Sequence, residues 1–409
     1  MTTPAPPGSA VTDAELGALR ARIEAAFPAY LADLERLVSI DCGSYTPAGV
    51  DEVGRFVGEF FERLGARVEH RPDPAARLGG TVVATIDGAP GAGPRVLLIG
   101  HMDTVFEPGT AAERPFRIED GIAHGPGVTD MKGGLLTGLY AIAALRAEHG
   151  DAALPFERLT FIANPDEEIG SPTSTPHIRE AAATSDACLV LECARANGDI
   201  VSARKGIADL RIEIHGRAAH AGVEPEKGRS AILAGSHLVT AVHELNGRWP
   251  GVTANVGVFK AGTRPNIVPD QAHLEVDLRG VRKADLEAAV EAVRALAAEP
   301  AVPDVTMTIE TLARWWPMEK LEASGRLVDH AGALAGRLGF EARDAATGGA
   351  SDANTTSGMG VPTLDGLGPI GGRDHSPDEY LEVDSIVPRT TLVAALLLAI
   401  ARDPTLVRR

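Results

Sequence analysis

Histidine and acidic residues directly follow several apolar segments of this chain. His101 and Asp103 end the run VLLIGHMD, whose first residues are typical of a buried strand. In an extended chain, residues two apart point to the same side, so both side chains could face one ligand. The runs RLTFIANPDEE and DACLVLE end in the same way, at Glu167 and Glu168 and at Glu192. Imidazole and carboxylate groups can bind metal ions or transfer protons.

Two more residues of these chemical types lie in glycine-rich segments. Asp130 lies in GPGVTDMKGG, and His375 lies in GGRDHSPDEY near the end of the chain. With His101, Glu192 and one acid of the pair Glu167 and Glu168, they supply two histidines and three carboxylates, a donor set that suits a pair of zinc ions. Asp130 could also cap a helix that begins near Lys132, and the paired glutamates could belong to a solvated loop. An unpaired carboxylate at Glu192, after the apolar CLVL, would be costly, which favours a metal there.

The composition is that of an acidic globular protein. The chain has 409 residues, 44% of them apolar, and a formal charge of −17. This length suits two domains, and the charge disfavours nucleic acid and anionic membranes as partners. Cys42, Cys188 and Cys193 match no metal or redox spacing and are predicted to be buried free thiols. Neither a signal peptide nor an apolar run of membrane-spanning length is recognisable, so a cytoplasmic location is expected.

Strands and helices alternate through the first half of the chain and again near its end. This alternation predicts an α/β fold with a mostly parallel sheet and helices on both faces. After a loose tail at 2–10, the patterns predict helices over 12–38, 51–64, 133–148, 323–338 and 384–401, strands over 66–70, 81–86 and 95–100, and a loop over 347–358.

The pattern changes between residues 205 and 315. There the order of predicted elements is β-α-β-β-α-β, which is typical of a ferredoxin-like α+β domain. The simplest architecture is therefore a first domain built from 1–204 and 316–409 and interrupted by an inserted domain at 205–315.

Taken in order, the motifs resemble those of a known family. GHMDTV, GPGVTDMKGG, NPDEEIGS, the HAG at 220–222 and GGRDHSPDEY are similar to motifs of the dinuclear zinc exopeptidases and deacylases. That family includes glutamate carboxypeptidase, aminoacylase, acetylornithine deacetylase and succinyl-diaminopimelate desuccinylase. The resemblance extends from about residue 30 to the end, and NPDEEIGS and ATGGASDAN look most like the glutamate carboxypeptidases. It implies a three-layer zinc-exopeptidase-like catalytic domain whose insertion serves as a lid and dimerisation domain.

The resemblance also implies a role for each candidate residue. Asp130 would bridge two zinc ions, and Glu167 would be the general base for the water between them. Asp103 would orient His101, one of the ligand histidines. The peptide bond from Asp130 to Met131 would be cis. The remaining ligands would be His101 and Glu192 for one ion, and Glu168 and His375 for the other.

Four residues are implied to act on the substrate. His220 would polarise the scissile carbonyl, in its own or the partner's site, and Asn266 and Arg279 would hold the substrate carboxylate. Gly349 would lie against the substrate. A planar guanidinium suits a carboxylate, although Arg279 could instead form a salt bridge at the end of a strand.

The expected function is that of a zinc-dependent hydrolase that cleaves an amide bond beside a free carboxylate and releases a C-terminal amino acid. Glutamate is the leading candidate for that amino acid. Two Zn²⁺ ions per subunit are expected, with Co²⁺ or Mn²⁺ possible. The substrate would be a small peptide or an N-acyl amino acid, and the protein would be a homodimer through the inserted domain. An N-acyl-amino-acid deacylase or a dipeptidase is the near alternative, and a non-catalytic metal- or peptide-binding relative is the distant one.

Overall fold

The computed structural model describes residue 8 and residues 10–150 and 154–408. Most of the tail predicted at 2–10 lies outside these residues. The helices are Asp13–Val38 (α1), Pro47–Arg63 (α2), Thr110–Glu113 (α3), Gly133–His149 (α4), Thr175–Ala182 (α5), Ala231–His243 (α6), Lys283–Ala298 (α7), Glu322–Leu338 (α8), Asp352–Gly358 (α9) and Ile386–Arg402 (α10).

The strands are Arg67–Arg71 (β1), Thr81–Asp87 (β2), Arg95–His101 (β3), Arg117–Glu119 (β4), Ile122–His124 (β5), Arg158–Asn164 (β6), Ala187–Val190 (β7), Ile200–Arg204 (β8), Gly206–His215 (β9), Ala219–His220 (β10), Thr253–Ala261 (β11), Ile267–Val268 (β12), Gln271–Gly280 (β13), Thr306–Trp315 (β14), Asp344–Thr347 (β15), Thr363–Leu364 (β16), Gly371–Gly372 (β17) and Tyr380–Glu382 (β18).

The described residues form two compact units. The first contains the residues up to Ser202, together with Lys320–Ala346 and those from Ser351 onward. The second contains Ala203–Glu319 and the short segment Thr347–Ala350. The second unit is thus slightly wider than the predicted insertion at 205–315 and includes a segment that lies much later in the sequence.

A six-stranded sheet in the order β1-β2-β6-β3-β7-β16 forms the centre of the first unit. The strands β6, β3, β7 and β16 are parallel, whereas β1 and β2 join as antiparallel strands. The predicted mostly parallel sheet is therefore confirmed. In the register of the sheet, His101 of β3 lies opposite Asn164 of β6, and Ile99 lies opposite Val190 of β7. These three strands consequently end at the same edge.

Helices α1, α4 and α10 pack against one another in the first unit. A capping box begins α1, because the Thr12 side chain accepts from the Glu15 N–H and the Glu15 carboxylate accepts from the Thr12 N–H. Glycine is needed where α4 begins, since a Cβ at Gly134 would lie 1.8 Å from the Leu191 carbonyl oxygen. This close approach seats the start of α4 beside the chain that follows β7.

Helix α10 is a core helix. The stretch Val383–Arg402 is long and apolar enough to span a bilayer, but 83% of its most apolar window is buried inside the protein. It also carries a buried cation, Arg389, which donates hydrogen bonds to the carbonyl oxygens of Gly198, Gly366 and Gly368. Burial lowers the pKa of Arg389 to about 10, so the guanidinium is still charged at neutral pH.

Replacing Arg389 by methionine is expected to lower the free energy of unfolding by about 3 kcal/mol, because three buried carbonyl groups lose their donors. Urea denaturation monitored by circular dichroism measures this change. The matched control is Arg20→Met on α1, where the arginine forms an exposed ion pair with Glu24. That change should cost less than about 0.5 kcal/mol, and equal losses in the two variants would contradict the prediction.

The second unit contains a four-stranded antiparallel sheet in the order β11-β13-β9-β14. Apart from the short paired strands β10 and β12, its strands and helices follow one another as β9, α6, β11, β13, α7 and β14, so the predicted ferredoxin-like order is present. Alternate residues of β9 and β13 are buried against α6 and α7, as Leu210, Ile212 and Leu274 show. The strands β11 and β14 form the two edges of this sheet.

The prediction of a loop over 347–358 was wrong for the second half of that segment. Residues Asp352–Gly358 form α9, which begins with a capping box between Ser351 and Asn354. The small polar residues of this segment suggested a loop, but the cap and the burial of Ala353 favour a helix. The three cysteines are free and buried, as predicted.

Candidate metal centre

The edge where β3, β6 and β7 end brings together the residues singled out in the sequence. His101 is the last residue of β3, Glu167 and Glu168 follow β6 in a short 3-10 turn, and Glu192 follows β7. Parallel strands of an open α/β sheet commonly place ligand-binding groups at this edge. The strands are largely apolar and buried, and the histidine and acidic groups come at or just after their ends.

Asp130 lies between the two histidines. Its Oδ1 is 3.0 Å from Nε2 of His101, and its Oδ2 is 3.2 Å from Nε2 of His375. Nε2 of His101 is also 3.7 Å from Oε1 of Glu192, and Nε2 of His375 is 3.0 Å from Oε2 of Glu168. The centre therefore consists of two three-residue groups that share one carboxylate.

The donor atoms of these two groups fit metal ions. In each group the three candidate ligand atoms lie within 4.8 Å of one another. Tetrahedral ligands at about 2.0–2.2 Å from one zinc ion are about 3.3–3.6 Å apart, which is close to the separations given above. Three carboxylates and two imidazoles converge, and a cation in each group would offset their negative charge.

The same convergence explains the proton affinities of the two histidines. Burial opposes protonation of His101, but the carboxylates of Asp103 and Asp130 outweigh it and raise the pKa of the imidazole. The carboxylates of Asp130 and Glu168 raise the pKa of His375 to about 10. Both pKa shifts arise from the negative electrostatic potential of the neighbouring carboxylates, which favours a positive charge at these positions. The two histidines differ in exposure, since the side chain of His101 is 1% exposed and that of His375 is 54% exposed.

Asp130 does not cap α4, so the helix-cap interpretation was wrong. The N-cap of α4 is Lys132, without a side-chain cap, and Asp130 lies in the preceding π-helical turn Val128–Lys132. The predicted cis peptide between Asp130 and Met131 is confirmed. The buried Lys132 ammonium donates to the carbonyl oxygens of Ile40 and Pro126, which ties this turn to the segment after α1.

Asp103 contacts both His101 and the turn that carries Glu167 and Glu168. Its backbone carbonyl oxygen is 2.9 Å from Nδ1 of His101, so the Nδ1–H group donates to it and Nε2 faces Asp130. Its buried carboxylate accepts from the backbone N–H groups of Glu167 and Glu168 and from the Ser44 hydroxyl. The sequence suggested only the contact with His101; the support of the glutamate turn was not foreseen.

Glu167 lies beside the proposed ligands without belonging to either three-residue group. Its removal from solvent and the charge of Glu192 raise the pKa of its carboxyl group well above the usual value. Such an environment suits a group that accepts and returns a proton. The solvated-loop interpretation of these two glutamates was wrong, because neither residue is exposed and the side chain of Glu168 is only 5% exposed.

Two further acids near the centre were missed in the sequence. Asp352, at the start of α9, accepts from Asn164 at 2.7 Å and from Ser171 at 2.6 Å, and burial raises its pKa to about 7. Glu379 is buried and accepts three backbone N–H groups of the segment that carries Asp130. Neither acid follows an apolar strand, which was the signal that identified the others.

The substrate-binding candidates all lie in the second unit. His220 and Asn266 are exposed and adjacent, because the N–H of Ala221 donates to the carbonyl oxygen of Asn266 at 3.0 Å. Nδ1 of His220 accepts from the N–H of Gly222 at 3.1 Å, so its proton is on Nε2.

Arg279 lies on β13 of the same unit. It forms an ion pair with Asp277 at 3.1 Å and donates to the carbonyl oxygen of Gly348, next to Gly349. The salt bridge considered from the sequence is thus present, and the guanidinium remains 37% exposed.

Two histidine–carboxylate groups that could each hold a metal ion lie at the edge of an α/β sheet, an arrangement that suits a metal-dependent hydrolase. Residues 97–399 match the sequence profile of Peptidase family M20/M25/M40. The chain belongs to this family and is a hydrolase, a metallopeptidase or amidohydrolase.

Relatives of known activity or structure agree with this assignment. Carboxypeptidase G2 from Pseudomonas sp. (strain RS-16) is 33% identical over 91% of this chain and 89% of its own length. Acetylornithine deacetylase from Edwardsiella ictaluri is 27% identical over 90% of this chain and 97% of its own length. The crystal structure of aminopeptidase PepT from Bacillus cereus superposes with a TM-score of 0.75 at 24% identity, covering 92% of this chain and 99% of that one, which shows the shared fold.

Proposed function

We propose that this enzyme is a dinuclear zinc hydrolase that cleaves an amide bond beside a free carboxylate and releases a C-terminal amino acid, glutamate being the first candidate. The observation that carries the proposal is the Asp130 carboxylate, whose two oxygens face the Nε2 atoms of His101 and His375. With Glu192 and Glu168 these residues would hold two ions. Zinc bound there would polarise a carbonyl group and lower the pKa of a water molecule.

Glu167 is proposed to move the proton in this reaction. Its carboxylate would accept a proton from the attacking water and deliver it to the nitrogen of the leaving amine. Asp103 supports this role, because it holds the N–H groups of both Glu167 and Glu168 and so fixes the turn that carries them.

The second unit is proposed to bind the substrate. The Nε2–H group of His220 would donate to the oxygen of the scissile carbonyl, which its tautomer allows. Arg279 and Asn266 would bind the free carboxylate, and Gly349 would let the substrate approach the backbone of its loop. Arg279 is already oriented by Asp277, so little side-chain entropy would be lost on binding.

A second candidate function is removal of an acyl group from an N-acyl amino acid. Acetylornithine deacetylase and succinyl-diaminopimelate desuccinylase from Corynebacterium glutamicum both resemble this chain, the latter at 28% identity over 75% of it. A carboxylate-binding arginine serves both reactions, because both substrates carry a free carboxylate beside the amide. Carboxypeptidase G2 has the higher identity among these three relatives, and for this reason the carboxypeptidase activity is placed first.

The function is tested by release of free amino acid from a substrate panel. The panel contains folyl-glutamate, acetylornithine, succinyl-diaminopimelate and simple dipeptides, each with zinc-loaded protein and with protein treated with a chelator. We expect release of glutamate that the chelator abolishes and that added zinc restores. Release from an N-acyl substrate alone would select the deacylase, and chelator-resistant release would contradict a metal-dependent reaction.

We also propose that the enzyme is a homodimer that forms through the second unit. The strand β11 is an edge of its sheet, and half-exposed apolar residues such as Phe259 lie on it. An edge strand of this kind can pair with its copy across a twofold axis. Light scattering at micromolar concentration should give twice the mass of one chain, and a monomer would contradict this proposal.

The buried free cysteines fit a reducing compartment, and we propose a cytoplasmic location. Cell fractionation should recover the protein with cytoplasmic markers, and recovery with extracellular or membrane markers would contradict the proposal.

A further inference from the structure

A buried glutamate contacts the backbone of the segment that carries Asp130. The side chain of Glu379 accepts three hydrogen bonds: Oε2 accepts from the N–H of Gly127 at 2.9 Å, and Oε1 accepts from those of Thr129 at 2.9 Å and Asp130 at 3.0 Å. The residue is 1% exposed. A carboxylate surrounded in this way by backbone donors is held in one position.

Glu379 also belongs to the segment that carries His375. It lies between that histidine and β18, which pairs with β5 just before the glycine-rich turn. The carbonyl oxygen of Glu379 is 3.2 Å from Nδ1 of His124 at the end of β5. One residue therefore joins the two chain segments that provide Asp130 and His375.

The three N–H groups need an acceptor because the turn cannot satisfy them itself. Gly127 has a left-handed backbone with φ of 73°, and Asp130 and Met131 have non-helical φ and ψ angles inside the π-helical turn. An ionised carboxylate offers acceptors on both oxygens, whereas a glutamine offers an acceptor on one and places an NH₂ group against an N–H on the other. The bonds from backbone N–H groups to a charged oxygen are also stronger than those to an amide oxygen.

Glu379 is not suited to bind a metal itself. Both of its oxygens already accept backbone N–H groups, and neither three-residue group of candidate ligands includes it. Burial raises the pKa of Glu379 to about 7, while the hydrogen bonds from the three backbone N–H groups favour its ionised form. Its effect on the centre must therefore pass through the position of Asp130.

We propose that Glu379 is a positioning residue that fixes the Asp130 turn in its metal-binding conformation before any metal binds. The proposal rests on the proposed function, since it takes Asp130 as the ligand shared by two ions. A preformed site loses less conformational entropy when the ions bind, and groups that orient metal ligands commonly change metal affinity by about 10- to 100-fold.

The test compares Glu379→Gln with Asp378→Asn in the full-length protein. Asp378 is the adjacent acid; its side chain is 72% exposed and lies 3.5 Å from Arg373, so its replacement makes the same acid-to-amide change in the same segment at an exposed site. The first measurement is amide hydrogen exchange of the metal-free protein by mass spectrometry, and the second is zinc affinity by competition with a chromogenic chelator. The third is kcat and KM at saturating zinc on the substrate that the panel identifies.

In Glu379→Gln we expect faster exchange in a peptide that covers residues 127–131 and unchanged exchange in the strands of the second unit. We also expect a zinc dissociation constant about 10- to 100-fold higher, with kcat largely restored by excess zinc and KM unchanged. Asp378→Asn should behave as the unmodified protein in all three measurements. Unchanged exchange at 127–131 or unchanged zinc affinity in Glu379→Gln would overturn the proposal.

Glu379→Asp is the second variant, in case the glutamine variant does not fold. It keeps the charge but withdraws the carboxylate by one methylene group, and it should show the same effects to a smaller degree. If the unmodified protein binds no zinc, the proposed function fails. If the unmodified protein binds zinc and neither Glu379 variant changes the affinity, only the role of Glu379 fails.

Discussion

Replacing Glu167 by glutamine is expected to lower kcat by about 10²- to 10⁴-fold while the bound metal stays unchanged. The glutamine keeps the size of the side chain but cannot accept a proton from water and return it to the leaving amine. The residue is outside both candidate ligand groups, so its loss should leave metal binding intact. Steady-state kinetics and metal analysis of the same preparation measure the two quantities.

The neighbouring residue provides the sharpest contrast. Glu168→Gln removes the carboxylate whose Oε2 lies 3.0 Å from Nε2 of His375, and it should lower the metal content as well as the rate. Glu62→Gln, at an exposed position of α2, should change neither quantity. If Glu167→Gln retained full turnover, the assignment of the proton-transfer group would be wrong.

Replacing Asp130 by asparagine is expected to weaken both metal positions at once. Asparagine has nearly the same shape, but it has one oxygen and no charge, so it can serve the His101 side or the His375 side and not both. Because residues that merely orient ligands already change affinity by about 10- to 100-fold, we expect a loss of at least about 100-fold here. Activity should fall together with the metal affinity, and a moderate excess of zinc should not restore it.

Metal stoichiometry distinguishes Asp130→Asn from variants that remove a ligand of only one metal position. His375→Ala should weaken one position and leave the group of His101, Asp130 and Glu192 able to bind. Asp329→Asn, at an exposed site on α8, is the matched control for the change of charge. Full occupancy of two ions by Asp130→Asn would show that this carboxylate is not shared.

The ligand candidates could be predicted from sequence because their position depends on a local pattern. A buried parallel strand must be apolar along its length, so the first polar residues after it are placed at the end of the sheet. His101, Glu167, Glu168 and Glu192 all follow such strands, and the register of β3, β6 and β7 brings them to one edge. Asp130 and His375 lacked this pattern, so they were suggested only by residue type in glycine-rich segments and by the family resemblance.

The alternation of strands and helices and the ferredoxin-like order of the second unit were also readable from the sequence. Alternate burial in β9 and β13 is the period-two pattern of a sheet that is covered on one face. The helix α9 was missed because its seven residues carry small polar side chains, and the cap at Ser351 outweighs their weak intrinsic preference.

Local hydrophobic patterns in the sequence are enough to predict which residues could bind metal and which strands place them at one edge of the sheet. The contacts that hold those residues in place depend on the folded arrangement of distant segments. The carboxylate of Asp103 supports the turn of Glu167, and Glu379 accepts the backbone N–H groups around Asp130 across a large separation in sequence. A buried acid and a solvated acid look alike in a sequence, as Asp378 and Glu379 show. Their difference arises only when distant segments pack and leave backbone donors that a carboxylate must satisfy.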